Sequence, residues 1–341
     1  MKRKSGQSRA PDEEDPSHSD ARSLPSSFRA APNFFIVGAA RCGTTSLFQA
    51  LSHHRDVYCC PVKEPNYFAF DITAERGTLE EARRQGVLID RPLATVLAPP
   101  RVAVTTDYDA YLRLFASWNG EKAVGEASTS YLPSEVAARE IAHRFPDARI
   151  VIILRDPLAR AHSEYLMHKQ LGREIGTFRE ALAPELKDVE RGSSGVRGMV
   201  FCSLYARQVQ RYLERFPREQ ILFLLFDEMI ANPRRALEGV FLHLGVDPAP
   251  SRHVRLNWEN KSRQSRLPSL DRFLLRTGKR TSLLRAIPRP VRRRMRALFY
   301  AAREPAPPDI DEQDILLKLF RDDIKATSAL INRDLSRWLG R

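Results

Sequence analysis

Five short apolar runs, FFIVG (34–38), VYCC (57–60), AVGE (123–126), RIVIIL (149–154) and QILFLLF (220–226), recur along the chain with stretches of helical periodicity between them. Runs this apolar suit strands buried on both faces, and their alternation with helices is the pattern of parallel strands joined by crossover helices. Helices are expected over 44–53, 107–116, 134–145, 157–170, 203–216 and 234–244. Pro157 stands where a first-turn proline is tolerated, so a helix should begin directly after Arg155 and Asp156. The expected architecture is an α/β three-layer fold with a central, mainly parallel sheet flanked by helices.

The chain of 341 residues is long enough for one large α/β domain or two smaller ones. Residues 1–31 mix charge with Ser and Pro, lack an apolar core of signal-peptide length, and read as a disordered tail before a domain spanning 32–341. Residues 276–303 carry many basic residues and no Asp or Glu, and read as a basic helical segment. Helical periodicity returns over 311–338 and predicts one or two terminal helices packing back on the domain. The formal net charge of +13 implies attraction to anions without choosing among nucleic acid, an anionic membrane, an acidic polysaccharide or a phosphorylated cofactor. The four cysteines include no C-x-x-C pair and suit a reducing compartment. No stretch reaches the ~20 apolar residues of a membrane span. The expectation is a cytoplasmic protein.

The loop that follows the first strand run carries the chemistry. In GAARCGTTSL (38–47), Gly38 and Gly43 are spaced as in a P-loop, but Thr44 stands where the phosphate-gripping lysine belongs, and Arg41 lies three positions earlier. A strand, a glycine-bearing turn and a helix opening near Thr44 direct backbone N–H groups and the positive end of a helix dipole at an anion. Gly43 allows close backbone approach, Thr44, Thr45 and Ser46 offer hydroxyls, and Arg41 offers a forked cation suited to phosphate or sulfate oxygens. A γ-phosphate-splitting enzyme also needs Mg²⁺ held by a strand-end carboxylate. Here the RIVIIL run ends in Arg155, with Asp156 behind it, which points to a second anion site and a ligand with two separate phosphates.

GAARCGTTSL resembles the 5′-phosphosulfate loop of the sulfotransferases that use 3′-phosphoadenosine 5′-phosphosulfate (PAPS), and RIVIILRDPLARAHSEYL (149–166) resembles their 3′-phosphate segment. The resemblance implies a P-loop-like fold and cofactor contacts from Arg41, Cys42, Gly43, Thr44, Thr45 and Ser46 at one end of PAPS. At the other end it implies Arg155 and Ser163, two sites lying far apart on one adenosine donor. CPVKEPNYFAFD (60–71) resembles the KEPHFFD segment of the heparan sulfate type, which implies Glu64 as general base and Lys63 beside it. An acceptor hydroxyl must lose its proton as it attacks sulfur, which a carboxylate in reach can take, while Arg41 and Lys63 offset charge on the sulfuryl oxygens and the departing bridge. NKSRQSRLPSL (260–270) resembles the late cofactor-covering loop, with Lys261, Arg263 and Arg266 as candidates. YARQVQRYLERFPREQILFLLFDEMIANPRRALEGVFLHLGV (205–246) resembles the helix, strand and helix that follow.

The sequence also departs from the pattern. Asn66 occupies the family's histidine position and Asp71 lies two residues beyond its aspartate, which leaves the means of orienting Glu64 unassigned. GEASTSYL (125–132) resembles the family's GEKSPSYL, with Ala127 replacing a substrate-facing lysine. The implied activity is sulfuryl transfer from PAPS, leaving 3′-phosphoadenosine 5′-phosphate (PAP), to a hydroxyl or an amine of a carbohydrate, lipid or small-molecule acceptor, with no metal required and no nucleic-acid partner. The basic segment 276–303 can draw in an acidic glycan or rest on a membrane carrying a glycolipid. The acceptor is expected to lie on loops at 70–105 and 170–200, with a lid candidate at 191–199. Two alternatives stay open: a P-loop small-molecule kinase, disfavoured by Thr44, and a polyanion-binding protein without catalysis.

Overall fold

A computed structural model describes residues 30–74, 88–89, 104–170, 173, 175–192, 198–252, 256, 264–265, 300–301 and 307–340. The strands among them are β1 (Phe34–Ile36), β2 (Val57–Cys59), β3 (Leu88–Ile89), β4 (Val104–Thr105), β5 (Ala123–Ala127), β6 (Arg149–Leu154), β7 (Ile221–Leu225), β8 (Gln264–Ser265) and β9 (Tyr300–Ala301). The α-helices are α1 (Thr44–Leu51), α2 (Phe70–Ala74), α3 (Tyr108–Arg113), α4 (Ala137–Arg144), α5 (Pro157–Gln170), α6 (Phe178–Glu190), α7 (Tyr205–Leu213), α8 (Phe226–Ala231), α9 (Pro233–Leu244) and α10 (Ile310–Ile331).

The five apolar runs form one sheet in the order β2-β5-β1-β6-β7, with every neighbouring pair parallel. Helices flank it, as the alternation predicts. Every residue of β1 and β5 is buried, and β6 is buried from Ile150 to Leu154. Sheets covered on both faces have this composition because no strand face meets water. Two contacts make glycine obligatory in the sheet region. A Cβ on Gly125 would lie 2.2 Å from the Phe34 carbonyl oxygen, and one on Gly38 would lie 2.7 Å from the Ile153 nitrogen. The loop after β1 therefore runs tight against β6, with Val37 N–H and Ala39 N–H donating to the carbonyls of Val151 and Ile153 at 3.0 and 3.1 Å.

α5 starts at Pro157, and the Asp156 side chain caps it by accepting from Leu158 N–H at 3.0 Å. Within the 170–200 stretch expected as an acceptor loop, residues 178–190 form the helix α6. Its start is a capping box in which Thr177 Oγ1 accepts from Glu180 N–H while Glu180 accepts from Thr177 N–H. Pro184 inside the helix obscures the periodicity.

The terminal region is α10 followed by a short 3₁₀ turn at Ser336–Trp338. Asp309 and Glu312 form a capping box at its start, and it buries Leu316, Phe320, Ile324, Thr327 and Ile331, a spacing of three and four that makes one apolar stripe. Asp323 on the same helix accepts from the N–H groups of Tyr205 and Ala206 at 2.7 and 3.0 Å, capping the start of α7. Among the described residues, no helix is long and apolar enough to cross a membrane.

Candidate active site

In parallel α/β sheets, ligands bind beyond the carboxyl ends of the strands. At that edge here lie the loop from β1 to α1, the turn after β2, the turn after β5 and the junction of β6 with α5. The first of these bends through two left-handed residues, Arg41 (φ 70°) and Gly43 (φ 84°), before α1 begins. The left-handed region costs a non-glycine residue roughly 1 kcal/mol or more, so Arg41 is held there by its surroundings. The first N–H groups of an α-helix have no partner within the helix and face the space ahead of it. Cys42 is fully buried, and burial pushes its thiol up to about 12, so its side chain belongs to the core. Thr44 and Ser46 are also buried, whereas Thr45 is partly exposed.

The two arginines expected at separate ends of a ligand are in direct contact. Arg155 Nη1 donates to the Arg41 carbonyl oxygen at 3.1 Å, and Arg41 Nε donates to Ser163 Oγ at 3.1 Å. The loop after β1 and the junction of β6 with α5, expected to hold the two ends of the donor, therefore touch each other. The cause is the parallel pairing of β1 with β6, which sets the loops that follow them side by side. Arg41 is thus the link between Arg155 and Ser163. The Arg155 guanidinium also stacks over the Phe226 ring at 4.7 Å, and its carbonyl accepts from the Tyr205 hydroxyl at 2.9 Å.

Three guanidinium groups, Arg41, Arg155 and Arg160, gather near Glu164 in this cluster. Burial, then the neighbouring Arg155 charge, hold the Arg41 pKa below its ordinary value. Arg160, fully buried on α5, donates to Glu164 Oε2 and Ser203 Oγ, both at 2.6 Å, and to the Met199 carbonyl. Burial works against the charge of Glu164, but Arg160 and His168 overcome it and hold the carboxyl down to about 2. Glu164 pairs with Arg160 at 2.6 Å and also favours the charge of Arg41, so one carboxylate serves more than one guanidinium group. Asp156, four-per-cent exposed, is engaged as the cap of α5.

Beyond β2 the chain makes a second strained turn, in which Glu64 (φ 63°) and Asn66 (φ 57°) are both left-handed. Glu64 N–H donates to the Ala127 carbonyl at 2.9 Å, fixing the turn to the end of β5, and Thr105 N–H donates to the Pro65 carbonyl at 3.0 Å. The Lys63 ammonium is paired with Glu64 Oε1, and both side chains keep some exposure, 13% and 21%. Asn66 Nδ2 donates to the Glu64 carbonyl at 2.7 Å, and Asn66 Oδ1 accepts from Ser130 Oγ at 2.5 Å. Asp71 takes no part in this turn. Its carboxylate accepts from Ser134 Oγ at 2.7 Å and Glu135 N–H at 2.8 Å, tying α2 to the chain ahead of α4.

Lys261, Arg263 and Arg266 lie outside the described residues, as does all of 276–303 except 300–301. Sequence reasoning missed Glu126, Arg160 and Tyr205. Glu126, a carboxylate closing an otherwise apolar strand run, was itself a signal, since such a residue must find partners when buried. Glu126 is fully buried, and its oxygens accept from Tyr111, Tyr131 and Ser128 hydroxyls at 3.0, 2.7 and 2.6 Å.

Comparison with known proteins gives consistent results. The model described as "Sulfotransferase family" matches residues 32–250. Human carbohydrate sulfotransferase 15 is 25% identical over 279 residues, covering 70% of this chain and 48% of that protein. Human heparan sulfate glucosamine 3-O-sulfotransferase 6 is 27% identical over 219 residues, covering 64% of this chain and 53% of that protein. The chain therefore spans about half the length of the curated relatives it matches. A crystal structure of a sulfotransferase from Alicyclobacillus acidocaldarius superposes with a TM-score of 0.61 at 32% identity, covering 91% of this chain and 99% of that one.

Proposed function

The chain belongs to the sulfotransferase family, and from that premise we propose that it moves the sulfuryl group of PAPS to a hydroxyl of a carbohydrate-type acceptor, with Glu64 as general base. The observation that carries this reading is the contact of Arg155 with the Arg41 carbonyl and of Arg41 with Ser163, which gathers two guanidinium groups at the carboxyl edge of the sheet. Clustered guanidinium groups suit phosphate oxygens, and a doubly phosphorylated nucleoside carries two sets of them. The residues therefore fit the donor.

When bound, PAPS supplies an activated sulfuryl group whose transfer leaves PAP. Arg41 and Arg155 would hold its phosphates, together with the N–H groups opening α1, and Thr45 is the partly exposed hydroxyl of the loop. Lys63 carries its charge next to Glu64, where it can pass to the oxygens that become more negative during transfer. Glu64 takes the acceptor proton from its place in the left-handed turn after β2. Relatives named for carbohydrate and heparan sulfate sulfation support a glycan hydroxyl as acceptor.

The test is transfer of labelled sulfate from PAPS to desulfated heparan sulfate oligosaccharides by wild type and Glu64→Gln. The reading predicts at least a hundredfold loss of turnover in the variant with PAP binding retained. Wild-type turnover in Glu64→Gln would remove Glu64 from the base role.

A further inference from the structure

Glu126 sits beneath the Glu64 turn in a network whose hydrogen-bond directions all depend on its charge. An ionised carboxylate only accepts, so the hydroxyls of Ser128, Tyr131 and Tyr111 all point their protons at it. Their oxygen lone pairs then face outward. Ser128 Oγ accepts from Asn66 N–H at 3.2 Å, and the Tyr131 hydroxyl accepts from Phe68 N–H at 3.5 Å. Asn66 in turn donates from its side chain to the Glu64 carbonyl. Two strained residues, Glu64 and Asn66, thus depend on hydroxyls whose orientation is set by a carboxylate that touches neither of them.

We propose that Glu126, as a carboxylate, is a positioning residue for Glu64: it fixes the donor direction of Ser128 and Tyr131, which hold the backbone of Asn66 and Phe68 and so the left-handed turn. The inference rests on the reading of Glu64 as the base. A protonated Glu126 carries a donor of its own, so one of the three hydroxyls turns its proton away from the carboxyl to accept it, and that hydroxyl then meets the backbone N–H with its own proton redirected. The network therefore has two proton arrangements, and the one that turns every hydroxyl proton toward Glu126 goes with its negative charge.

The groups around Glu126 leave it as the titrating member. Tyr111 comes from α3, Tyr131 and Ser128 from the turn after β5, Tyr212 from α7, Cys60 from the end of β2, and Lys63 from the turn itself. Burial pushes the three phenols and the Cys60 thiol well above their ordinary values, so they stay neutral around neutrality. Burial also raises Glu126, to about 7, against the three hydroxyl donors and the Lys63 charge that favour ionisation. Turnover then falls as pH drops through neutrality because the turn loosens.

The experiment compares full-length wild type, Glu126→Gln and Ser128→Ala between pH 6 and 8.5. It reads PAP release from PAPS with desulfated heparan sulfate oligosaccharides as acceptor, hydrogen exchange of peptides covering 62–70, and thermal stabilisation by PAP. Glu126→Gln keeps the shape but adds an amide donor. It should lower kcat at pH 8 at least tenfold and flatten the pH dependence, with KM for PAPS within twofold of wild type. Exchange over 62–70 should quicken at least tenfold in Glu126→Gln and in Ser128→Ala, and in wild type as pH falls below 7 after correction for intrinsic rates. Wild-type turnover, pH profile or exchange in Glu126→Gln would overturn the proposal. If Glu126→Gln does not fold, Ser128→Ala decides by the same exchange criterion. PAP should stabilise all folded variants equally; stabilisation of none would defeat the donor assignment while the exchange comparison still judged the Glu126 network.

Discussion

Arg41 Nε donates to Ser163 Oγ at 3.1 Å, joining the loop after β1 to the second turn of α5 across 122 positions of sequence. The bond lies in the partly buried layer where Arg155 also meets the Arg41 carbonyl. Its length and direction make Ser163 the support that aims the Arg41 fork. Ser163→Ala should weaken PAP binding about tenfold, the value of one hydrogen bond to a charged group at ~1.5 kcal/mol, and Arg155→Ala should weaken it a hundredfold or more. Isothermal titration with PAP checks both. Unchanged affinity in Ser163→Ala would show that Arg41 needs no such support.

The Arg160–Glu164 pair should matter to stability more than an exposed ion pair. Arg160 is fully buried, and Glu164 is the carboxylate paired with it, at 2.6 Å. Glu164→Gln leaves a buried guanidinium without its charge partner, a loss of about 3 kcal/mol by the usual cost of breaking such a pair. Because the folded carboxyl is held down to about 2, below its ordinary value of 4.5, its contribution is present above that ordinary value and is lost as pH falls toward 2. Urea denaturation of wild type and variant at pH 7 and pH 3 should show the difference shrinking in acid.

Glu126 should act with the opposite sign. Its folded pKa of about 7 exceeds the ordinary 4.5, so between those values the folded state binds more protons than the unfolded one. Stability attributable to this group therefore falls as pH rises from 4.5 to 7, by about 3 kcal/mol. Subtracting the urea stability curve of Glu126→Gln from that of wild type over pH 4.5–7.5 isolates the effect. A flat difference would mean that the carboxylate titrates normally.

Two glycines should respond in opposite directions to alanine. A Cβ at Gly125 would meet the Phe34 carbonyl oxygen at 2.2 Å and the Phe34 ring at 2.6 Å, backbone and core that have no room to retreat. Gly125→Ala should lose about 3 kcal/mol or more. Gly239 on α9 has nothing within 4 Å of an added Cβ, and Gly239→Ala should gain about 0.5–1 kcal/mol from helix propensity. Thermal melts of the two variants give the comparison.

These tests also mark how far the sequence could be read. The strands were legible because a parallel sheet covered on both faces demands near-continuous apolar runs, and RIVIIL at 149–154 is such a run without interruption. The loop around Arg41 was legible through its glycine spacing and its place after a strand. α6 was not, because Pro184 breaks the pattern that the capping pair Thr177 and Glu180 announces. The contact of Arg155 with Arg41 was also hidden, since it follows from β1 and β6 being neighbours, and strand order is a property of the whole chain. Asn66 shows a further limit. Its side chain supports the Glu64 turn while its backbone N–H and its side-chain oxygen are held by the hydroxyls of Ser128 and Ser130, more than sixty residues away, which no local spacing reveals.

The most direct test of the central claim is the thermal stability of the full chain with PAP, compared with ATP and GTP in the presence and absence of Mg²⁺. A ligand that binds only the folded form raises stability by RT ln(1 + [L]/Kd), about 2.7 kcal/mol at a hundredfold excess over Kd. The account predicts a rise of several degrees with PAP, none with ATP or GTP under either condition, and loss of the PAP effect in Arg155→Ala. Equal stabilisation by ATP with Mg²⁺, or no response to PAP in the wild-type protein, would contradict it.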